Sequence, residues 1–238
     1  MQDTKVEDRI AGLDWDLIGQ GLDKQGWATI PPLLDTGECD ELASLYGQDA
    51  RFRSTVNMAR HNFGEGEYKY FADPLPPLVQ SLRECFYPRL AVTANRWASW
   101  LNASGDFPGT LDEFLALCQQ HGQPKPTPLL LHYRASGFNC LHQDLYGDIA
   151  FPLQVVFALS DKDRDYTGGE LLLVEQRPRA QSRGSVVTLE KGAGLIFTTR
   201  HHPIKGSRGY YRGTMRHGVS PVHSGERMTL GIIFHNAA

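Results

Sequence analysis

The 238-residue sequence contains few cysteines and no long apolar run. Its four cysteines are scattered without any Cys-x-x-Cys pair; they are Cys39, Cys85, Cys118 and Cys140. This spacing favours reduced thiols in a cytoplasmic protein over a disulfide framework. No apolar stretch approaches the roughly 18–20 residues that a membrane-spanning helix needs, and the charged N-terminus leads into no apolar signal segment. We therefore expect a cytoplasmic protein with no membrane association.

The sequence also has no excess of basic charge. It contains 24 lysine and arginine residues against 27 aspartate and glutamate residues, which gives a net charge of -3 at pH 7. This balance does not indicate a nucleic-acid-binding protein as a whole, although it allows a local basic patch. Hydrophobic residues make up 41% of the chain, which is enough for the core of one large domain or two small ones.

The N-terminal half, residues 1–128, is predicted to be mainly helical. One helix is expected to begin at residues 35–38, and another follows residues 110–113, which have the spacing of a capping box. Residues 51–71 differ, because two strand-like runs flank a turn that contains glycines. We expect this segment to form a β-hairpin outside the main sheet, either as a lid packed on the rest of the protein or as a plain surface hairpin.

The hydrophobic period changes at residue 129. From there, short apolar runs are separated by turns that contain glycine. The runs span residues 129–133, 138–142, 151–159, 170–174, 185–189, 194–198, 218–222 and 229–234. Short strands at such spacing predict a double-sheet jelly roll or barrel. The sequence thus predicts an α+β protein with a β-rich core over residues 129–238.

Two potential metal ligands, His142 and Asp144, lie two residues apart near the start of this core. Side chains alternate faces along a strand, so both point the same way. A third ligand has to come from another strand, and His217 is the best-placed candidate. Two imidazoles and one carboxylate suit iron(II) and leave three positions open on an octahedral ion. The alternatives are a zinc site that uses Cys140, for which no second thiolate lies nearby, and a chance His-x-Asp triplet that binds no metal.

Arg227 supplies the strongest argument for iron. The segment from His217 to Arg227 reads as a strand, a turn at residues 224–225 and a returning strand, so that Arg227 and Thr229 can face inward with His217. An inward arginine is costly unless an anion pairs with it. A dicarboxylate such as 2-oxoglutarate provides that anion, because arginine binds carboxylates bidentately. Thr229 and Tyr133 can each add a hydroxyl donor. The alternative is an Arg227 side chain that faces solvent.

Four pieces of the sequence together resemble the iron(II)/2-oxoglutarate-dependent dioxygenase superfamily. They are residues 133–144, 167–171, 191–197 and 217–227. The first piece is similar to AlkB-type nucleic-acid demethylases, and the second is similar to prolyl-hydroxylase-like members. The second downstream arginine of AlkB-type enzymes has no counterpart after Arg227. The whole chain is similar to a group of bacterial oxygenases predicted to act on damaged nucleic acid.

The resemblance implies a double-stranded β-helix (a jelly-roll or cupin-like fold) and an enzyme that uses Fe(II), 2-oxoglutarate and O2. The implied reaction hydroxylates or oxidatively demethylates a substrate and releases succinate and CO2. The implied metal-binding and catalytic residues are His142, Asp144 and His217, and the implied 2-oxoglutarate-binding residues are Arg227, Thr229 and Tyr133. Alkylated nucleic-acid bases are the first substrate candidate. The alternatives are a protein side-chain (prolyl-type) or small-molecule hydroxylase, and a non-catalytic cupin-like binding protein.

The segment of residues 200–216, called the basic segment here, is the candidate substrate contact. It contains five lysine or arginine residues, no acidic residue and two adjacent tyrosines. The residues singled out are Arg208, Tyr210, Tyr211 and Arg212. Cations beside stacking aromatic rings suit a single-stranded or flipped nucleic-acid base. They suit a phosphorylated small molecule equally well, and a basic surface loop without a ligand is the third interpretation.

Overall fold

The computed structural model describes residues 5–103 and 106–238, in which helices and strands are mixed up to residue 120 and only strands follow. The helices are α1 (Val6–Ala11), α2 (Trp15–Gln25), α3 (Thr36–Ser44), α4 (Pro77–Trp100) and α5 (Leu111–Gln120). The strands are β1 (Trp27–Ile30), β2 (Phe52–Asn57), β3 (Gly64–Glu65), β4 (Glu67–Phe71), β5 (Leu129–Arg134), β6 (Phe138–His142), β7 (Leu153–Ala158), β8 (Tyr166–Gly168), β9 (Leu171–Gln176), β10 (Arg183–Val187), β11 (Gly194–Thr198), β12 (His201–Gly206), β13 (Gly209–Val219) and β14 (Val222–Ile233).

Local capping explains where α3 and α5 begin. The Asp35 carboxylate accepts a hydrogen bond from the Glu38 N–H at 2.8 Å, and the Glu38 carboxylate accepts one from the Asp35 N–H at 2.9 Å. This reciprocal pair is a complete capping box at the start of α3. The Thr110 hydroxyl caps α5 by accepting from the Glu113 N–H. Both predicted helix starts are therefore confirmed.

The strands form two antiparallel sheets, which confirms the predicted double-sheet architecture. The larger sheet has the order β1-β11-β7-β14-β5-β4-β2, and β8 also pairs with β14. The smaller sheet has the order β10-β9-β13-β6-β3, with β12 on β13. The helices cover one face of the larger sheet, where α4 buries apolar side chains in a shared core. A second apolar cluster that includes Leu173, Leu195 and Met215 joins the two sheets.

The hairpin predicted at residues 51–71 forms, but the expectation that it lies outside the main sheet is wrong. Strand β4 pairs with β5, with Tyr70 opposite Leu129 and Glu67 opposite His132, and β2 becomes the edge of the larger sheet. The pairing satisfies backbone groups of β5 that would otherwise face solvent. Strand β1 likewise pairs with β11. The helical N-terminal region and the β-rich core therefore share a sheet.

The basic segment also differs from the expected loop. It contains β12 and the first part of β13, which pair as a hairpin with Gly206 opposite Gly209. Its two strands escaped prediction because neither shows the regular alternation of apolar and polar side chains that marks a half-buried strand. Strand β8 was missed for a different reason, since it has only three residues.

The cysteines and the helices bear on two features that the sequence analysis considered, disulfide bonds and membrane spans. All four cysteines are free, with Cys39 and Cys118 buried and Cys140 exposed. No helix in the described part of the chain combines the length and the apolar character needed to cross a bilayer.

Arg83 ties helix α4 to the segment that follows β14. Its side chain is 2% exposed and donates to the carbonyl oxygens of Ile233 at 3.0 Å and Phe234 at 2.7 Å, and to Asn236 Oδ1 at 2.8 Å. Burial lowers the pKa of this guanidinium to about 10, which still leaves it charged at neutral pH. Because its partners are neutral oxygens, the role of Arg83 is to satisfy buried acceptors at the C-terminal end of the larger sheet.

The Arg83→Met variant is expected to lower the free energy of unfolding by about 3 kcal/mol or more, because it leaves buried acceptors without donors at about 1–3 kcal/mol each. Urea-induced unfolding followed by circular dichroism measures this loss. Arg89→Met on the same helix removes an exposed guanidinium and is expected to change stability by no more than about 0.5 kcal/mol. Equal stability of the two variants would contradict the role given to Arg83.

Candidate metal and co-substrate site

A cavity of about 330 Å³ opens between the two sheets. Its wall is mainly apolar, with side chains from β5, β7, β13 and β14. The tip of the β2–β4 hairpin reaches its edge through Asn62 and Phe63, and Tyr68 of β4 also lines it. Polar side chains on the wall provide the cavity's hydrogen-bonding and potential metal-binding groups. They belong to Tyr133, Asn139, His142, Gln143, Asp144, Tyr146, Gln154, His217, Arg227 and Thr229.

The structure brings His142, Asp144 and His217 together on one wall of this cavity. Strands β6 and β13 are antiparallel neighbours, and their register places His217 directly opposite His142. Asp144 follows two residues after His142. Its Oδ1 lies 3.4 Å from His142 Nε2, and its Oδ2 lies 3.1 Å from His217 Nε2. One ligand atom from each residue falls within 4.8 Å of the other two, a spacing that a single metal ion can bridge.

Electrostatic effects differ among the three candidate metal ligands. Burial, the largest influence on Asp144, would raise its pKa, but the charge of His217 and the hydrogen bonds from both histidines outweigh it and hold the pKa well below its usual range. Burial lowers the pKa of His217, against the attraction of Asp144. Asp144 is therefore an ionised carboxylate at neutral pH, and burial favours the neutral, metal-binding imidazole of His217. For His142, burial would lower the pKa, but the hydrogen bond and the charge of Asp144 outweigh it and raise the pKa.

Arg227 reaches the same cavity from β14. Its side chain is 5% exposed, and its Nε has no hydrogen-bond partner among the described residues. The guanidinium carbon lies 5.5 Å from the centre of the Tyr133 ring and 6.0 Å from that of Tyr166, so two aromatic faces stabilise the cation. Within the described ranges no carboxylate forms a salt bridge with it. A buried cation of this kind calls for an anionic ligand.

Thr229 and Tyr133 accompany Arg227 as the sequence pattern predicts. Thr229 is two residues further along β14, lines the same cavity and is 3% exposed. Tyr133 is opposite Arg227 in the β14–β5 register, is fully buried, and its hydroxyl accepts a hydrogen bond from Asn139 Nδ2 at 3.2 Å. Burial raises the pKa of Tyr133 to about 12, so its hydroxyl stays protonated and able to donate.

The Gly168-Gly169 pair makes room for Arg227. Both glycines have positive φ, of 72° and 61°. A Cβ at Gly169 would lie 2.9 Å from both Arg227 Cδ and Val222 Cγ2, closer than real side chains come. Residue 169 therefore has to be glycine for two reasons, its backbone conformation and the space that Arg227 occupies.

The four predicted substrate residues lie away from this cavity. Arg208, Tyr210, Tyr211 and Arg212 belong to the β12–β13 hairpin or its turn, and none of them lines the cavity wall. The Tyr210 ring is stacked on Trp100 of α4 with centroids 4.4 Å apart and planes at 1°, so one face of that ring is already covered. A role of these residues in substrate binding stays a prediction.

Two polar residues of the site escaped the sequence analysis. The Tyr146 hydroxyl donates to Asp144 Oδ1 at 2.8 Å, and Gln154 Nε2 donates to Asp144 Oδ2 at 2.9 Å. A signal for Gln154 exists, because it is the one polar residue in the otherwise apolar strand β7. Tyr146 follows Asp144 by two residues, the same offset that joins His142 to Asp144.

Two sequence comparisons bear on this site. The chain matches the Oxygenase-NA family over residues 66–237, and that family is described as an oxygenase catalysing oxidative methylation of damaged DNA. An uncharacterised protein of Mycobacterium tuberculosis, Rv2227, is 49% identical over 168 residues, which cover 71% of this chain and 72% of that protein.

Solved structures of low sequence identity share the fold. A prolyl-4-hydroxylase from Pseudomonas putida gives a TM-score of 0.57 at 15% identity, covering 94% of this chain and 99% of that one. A prolyl hydroxylase from Trichoplax adhaerens, solved with a peptide fragment of hypoxia inducible factor, gives a TM-score of 0.55 at 13% identity, with 97% and 92% covered. These similarities confirm the predicted α+β fold with its double-stranded β-helix.

Proposed function

The chain belongs to the Oxygenase-NA family, whose match spans residues 66–237, and from this membership we propose that it oxidises alkylated bases in damaged DNA. It is an oxygenase, and its cofactor, co-substrate and oxidant are Fe(II), 2-oxoglutarate and O2. Because this is a family of enzymes, its match contradicts the alternative of a non-catalytic cupin-like binding protein. The substrate and the residue roles below are our proposals.

The observation that carries the proposal is a buried arginine facing the same cavity as three metal-ligand side chains. His142, Asp144 and His217 offer two imidazoles and one carboxylate, the donor set typical of non-haem iron oxygenases. The unpartnered Nε of Arg227 fits an anionic co-substrate in that cavity. A zinc site that uses Cys140 fits the structure less well than the proposed iron site. Cys140 is exposed and is not one of the three clustered candidate ligands.

Each residue has a defined part in the proposed mechanism. His142, Asp144 and His217 would hold Fe(II), and Arg227 would bind the distal carboxylate of 2-oxoglutarate bidentately. Thr229 and Tyr133 would donate hydrogen bonds to the co-substrate, and the apolar cavity wall would exclude water from the reacting atoms. A bound iron would supply the redox chemistry in which O2 is consumed, 2-oxoglutarate is converted to succinate and CO2 with one of the two oxygen atoms, and the other oxygen atom enters a substrate C–H bond.

An N-methylated base fits this chemistry. Hydroxylation of its methyl C–H bond produces an N-hydroxymethyl group, which leaves the nitrogen as formaldehyde and restores the base. Phe63 and Leu141, which line the cavity, are 47% and 42% exposed. Apolar and aromatic side chains at this edge suit a base taken out of its stack. Arg208 and Arg212, exposed on the β12–β13 hairpin, are proposed to contact phosphates of the strand.

The test incubates the protein with Fe(II), 2-oxoglutarate and a single-stranded oligodeoxynucleotide that carries one N-methylated base. We expect succinate and formaldehyde in equal amounts, and an oligonucleotide whose mass falls by one methylene group. The unmethylated oligonucleotide is the matched control and should yield no formaldehyde. Succinate formation that responds to a proline-containing peptide and not to the methylated strand would overturn the DNA proposal and favour the protein hydroxylase.

A further inference from the structure

The Asp144 carboxylate is held by two donors that have no part in the roles proposed above. Tyr146 binds its Oδ1 and Gln154 binds its Oδ2, at 2.8 Å and 2.9 Å. A carboxylate oxygen has two lone-pair sites, so each oxygen keeps one site that Tyr146 and Gln154 do not occupy. The two histidine Nε2 atoms lie on the remaining side, 3.4 Å and 3.1 Å from the same two oxygens. Tyr146 and Gln154 therefore each bind one oxygen of the Asp144 carboxylate, and each of these oxygens also lies near one of the two histidines.

These two hydrogen bonds matter because Asp144 lies outside any helix or strand. Strand β6 ends at His142, and residues 143–150 form neither helix nor strand. The buried side chain of Gln123 stabilises this segment instead. Gln123 Nε2 donates to the carbonyl oxygens of Tyr146 and Ile149 at 2.9 Å each, and its Oε1 accepts from the Ile149 N–H at 2.8 Å. The backbone of Tyr146 is thus fixed from one side of the segment.

The two donors are themselves rigidly placed. The Tyr146 ring packs edge-on against Tyr70, with centroids 6.1 Å apart, and lies 5.8 Å from the His235 ring. Gln154 belongs to the buried strand β7 and pairs with Phe197 on one side and Ile233 on the other. Neither side chain has to be ordered when a metal binds, so both can orient the carboxylate in advance.

We propose that Tyr146 and Gln154 are positioning residues, which fix the rotation of the Asp144 carboxylate and thereby set the affinity and coordination geometry of the metal. This inference rests on the proposed function, because it requires Asp144 to be a metal ligand. Partners of metal ligands commonly change metal affinity by about 10–100-fold when they are removed. Each single donor is expected to contribute at the lower end of that range.

The first experiment measures Mn²⁺ affinity by electron paramagnetic resonance of the free ion, without co-substrate or DNA. Tyr146→Phe keeps the ring contacts and removes only the hydroxyl, and we expect Kd for Mn²⁺ to rise by about 10-fold. Tyr87→Phe is the matched control, because it also removes a buried hydroxyl, one without a hydrogen-bond partner in the described structure. Its Kd should stay within about twofold of the unmodified protein.

A second variant and a spectroscopic readout separate positioning from general destabilisation. Gln154→Met keeps the length of the side chain and removes the donor, and it should weaken Mn²⁺ binding in the same way. At saturating Co²⁺, both variants should show an altered visible absorption spectrum, whereas Tyr87→Phe should reproduce that of the unmodified protein. Unchanged Kd and spectra in both variants would overturn the positioning role alone. If the unmodified protein does not bind Mn²⁺, the proposed iron site would be refuted, and with it the positioning role of Tyr146 and Gln154.

Discussion

Replacing Asp144 with alanine is expected to lower 2-oxoglutarate turnover by at least about 10³-fold, more than the 10–100-fold typical of residues that only support a ligand. The physical reason is that Asp144 supplies the one negative charge of the proposed ligand set. Without it, two imidazoles remain and the metal loses a hard, anionic donor. Succinate formation under saturating Fe(II) and 2-oxoglutarate measures the effect.

Two comparisons make this expectation specific to the metal site. Asp148→Ala removes an exposed carboxylate from the same irregular segment and should leave turnover nearly unchanged. Thermal unfolding of Asp144→Ala is expected at a lower temperature than that of the unmodified metal-free protein, because the buried donors of Tyr146 and Gln154 lose their acceptor. Turnover is therefore compared at a temperature at which both proteins are folded. A variant that still turned over 2-oxoglutarate within tenfold of the unmodified protein would refute Asp144 as a ligand.

Replacing Arg227 with leucine is expected to raise KM for 2-oxoglutarate by about 10²–10³-fold, since losing one partner of a buried, hydrogen-bonded charge pair costs about 2–5 kcal/mol. The distal carboxylate takes no part in bond breaking, so its anchor contributes similarly to ground state and transition state, and kcat should fall much less than KM rises. Arg227→Lys should give an intermediate KM, because an ammonium group cannot bind a carboxylate bidentately. Initial rates over a range of 2-oxoglutarate concentrations distinguish the three proteins.

One control variant removes a different arginine, and a pair of glycine variants tests the space around Arg227. Arg134→Leu removes an exposed arginine that pairs with Glu226 at 3.5 Å, and it should leave KM unchanged. Gly169→Ala perturbs Arg227 without touching its charge, because the new Cβ would meet Arg227 Cδ at 2.9 Å. Gly209→Ala also places a methyl group on a residue with positive φ, of 118°, but nothing lies within 4 Å of it. A raised KM for Gly169→Ala but not for Gly209→Ala would link Gly169 to co-substrate binding, and an unchanged KM in Arg227→Leu would refute the anchor.

The proposed iron site and DNA substrate stand on separate observations. Three clustered candidate ligands, and an arginine whose buried Nε has no hydrogen-bond partner among the described residues, argue for the cofactor and co-substrate, whichever substrate is oxidised. The DNA substrate depends on the family match and on the exposed apolar and basic side chains. If the protein forms succinate without modifying DNA, the proposed iron and 2-oxoglutarate mechanism would stand, and only the proposed DNA substrate would be refuted.

Local features could be predicted from the sequence because they depend on neighbouring residues. The capping residues at Asp35 and Thr110 act within one helical turn. The two-residue offset from His142 to Asp144, and from Arg227 to Thr229, places side chains on one face before any tertiary contact forms. The sequence by itself therefore determined the fold class, the strand-rich core and the order of the residues that carry the chemistry.

Tertiary structure decided which distant segments meet. It joined the 51–71 hairpin to the larger sheet, stacked Tyr210 on Trp100, and brought Gln154 to Asp144. Such contacts depend on strand register, since a shift of one residue turns every side chain of a strand to the opposite face. Register is determined by packing across the whole sheet, so no local pattern contains it. For this reason the candidate ligands could be found in the sequence, while Tyr146 and Gln154, which we propose hold Asp144 in place, became visible only in the fold.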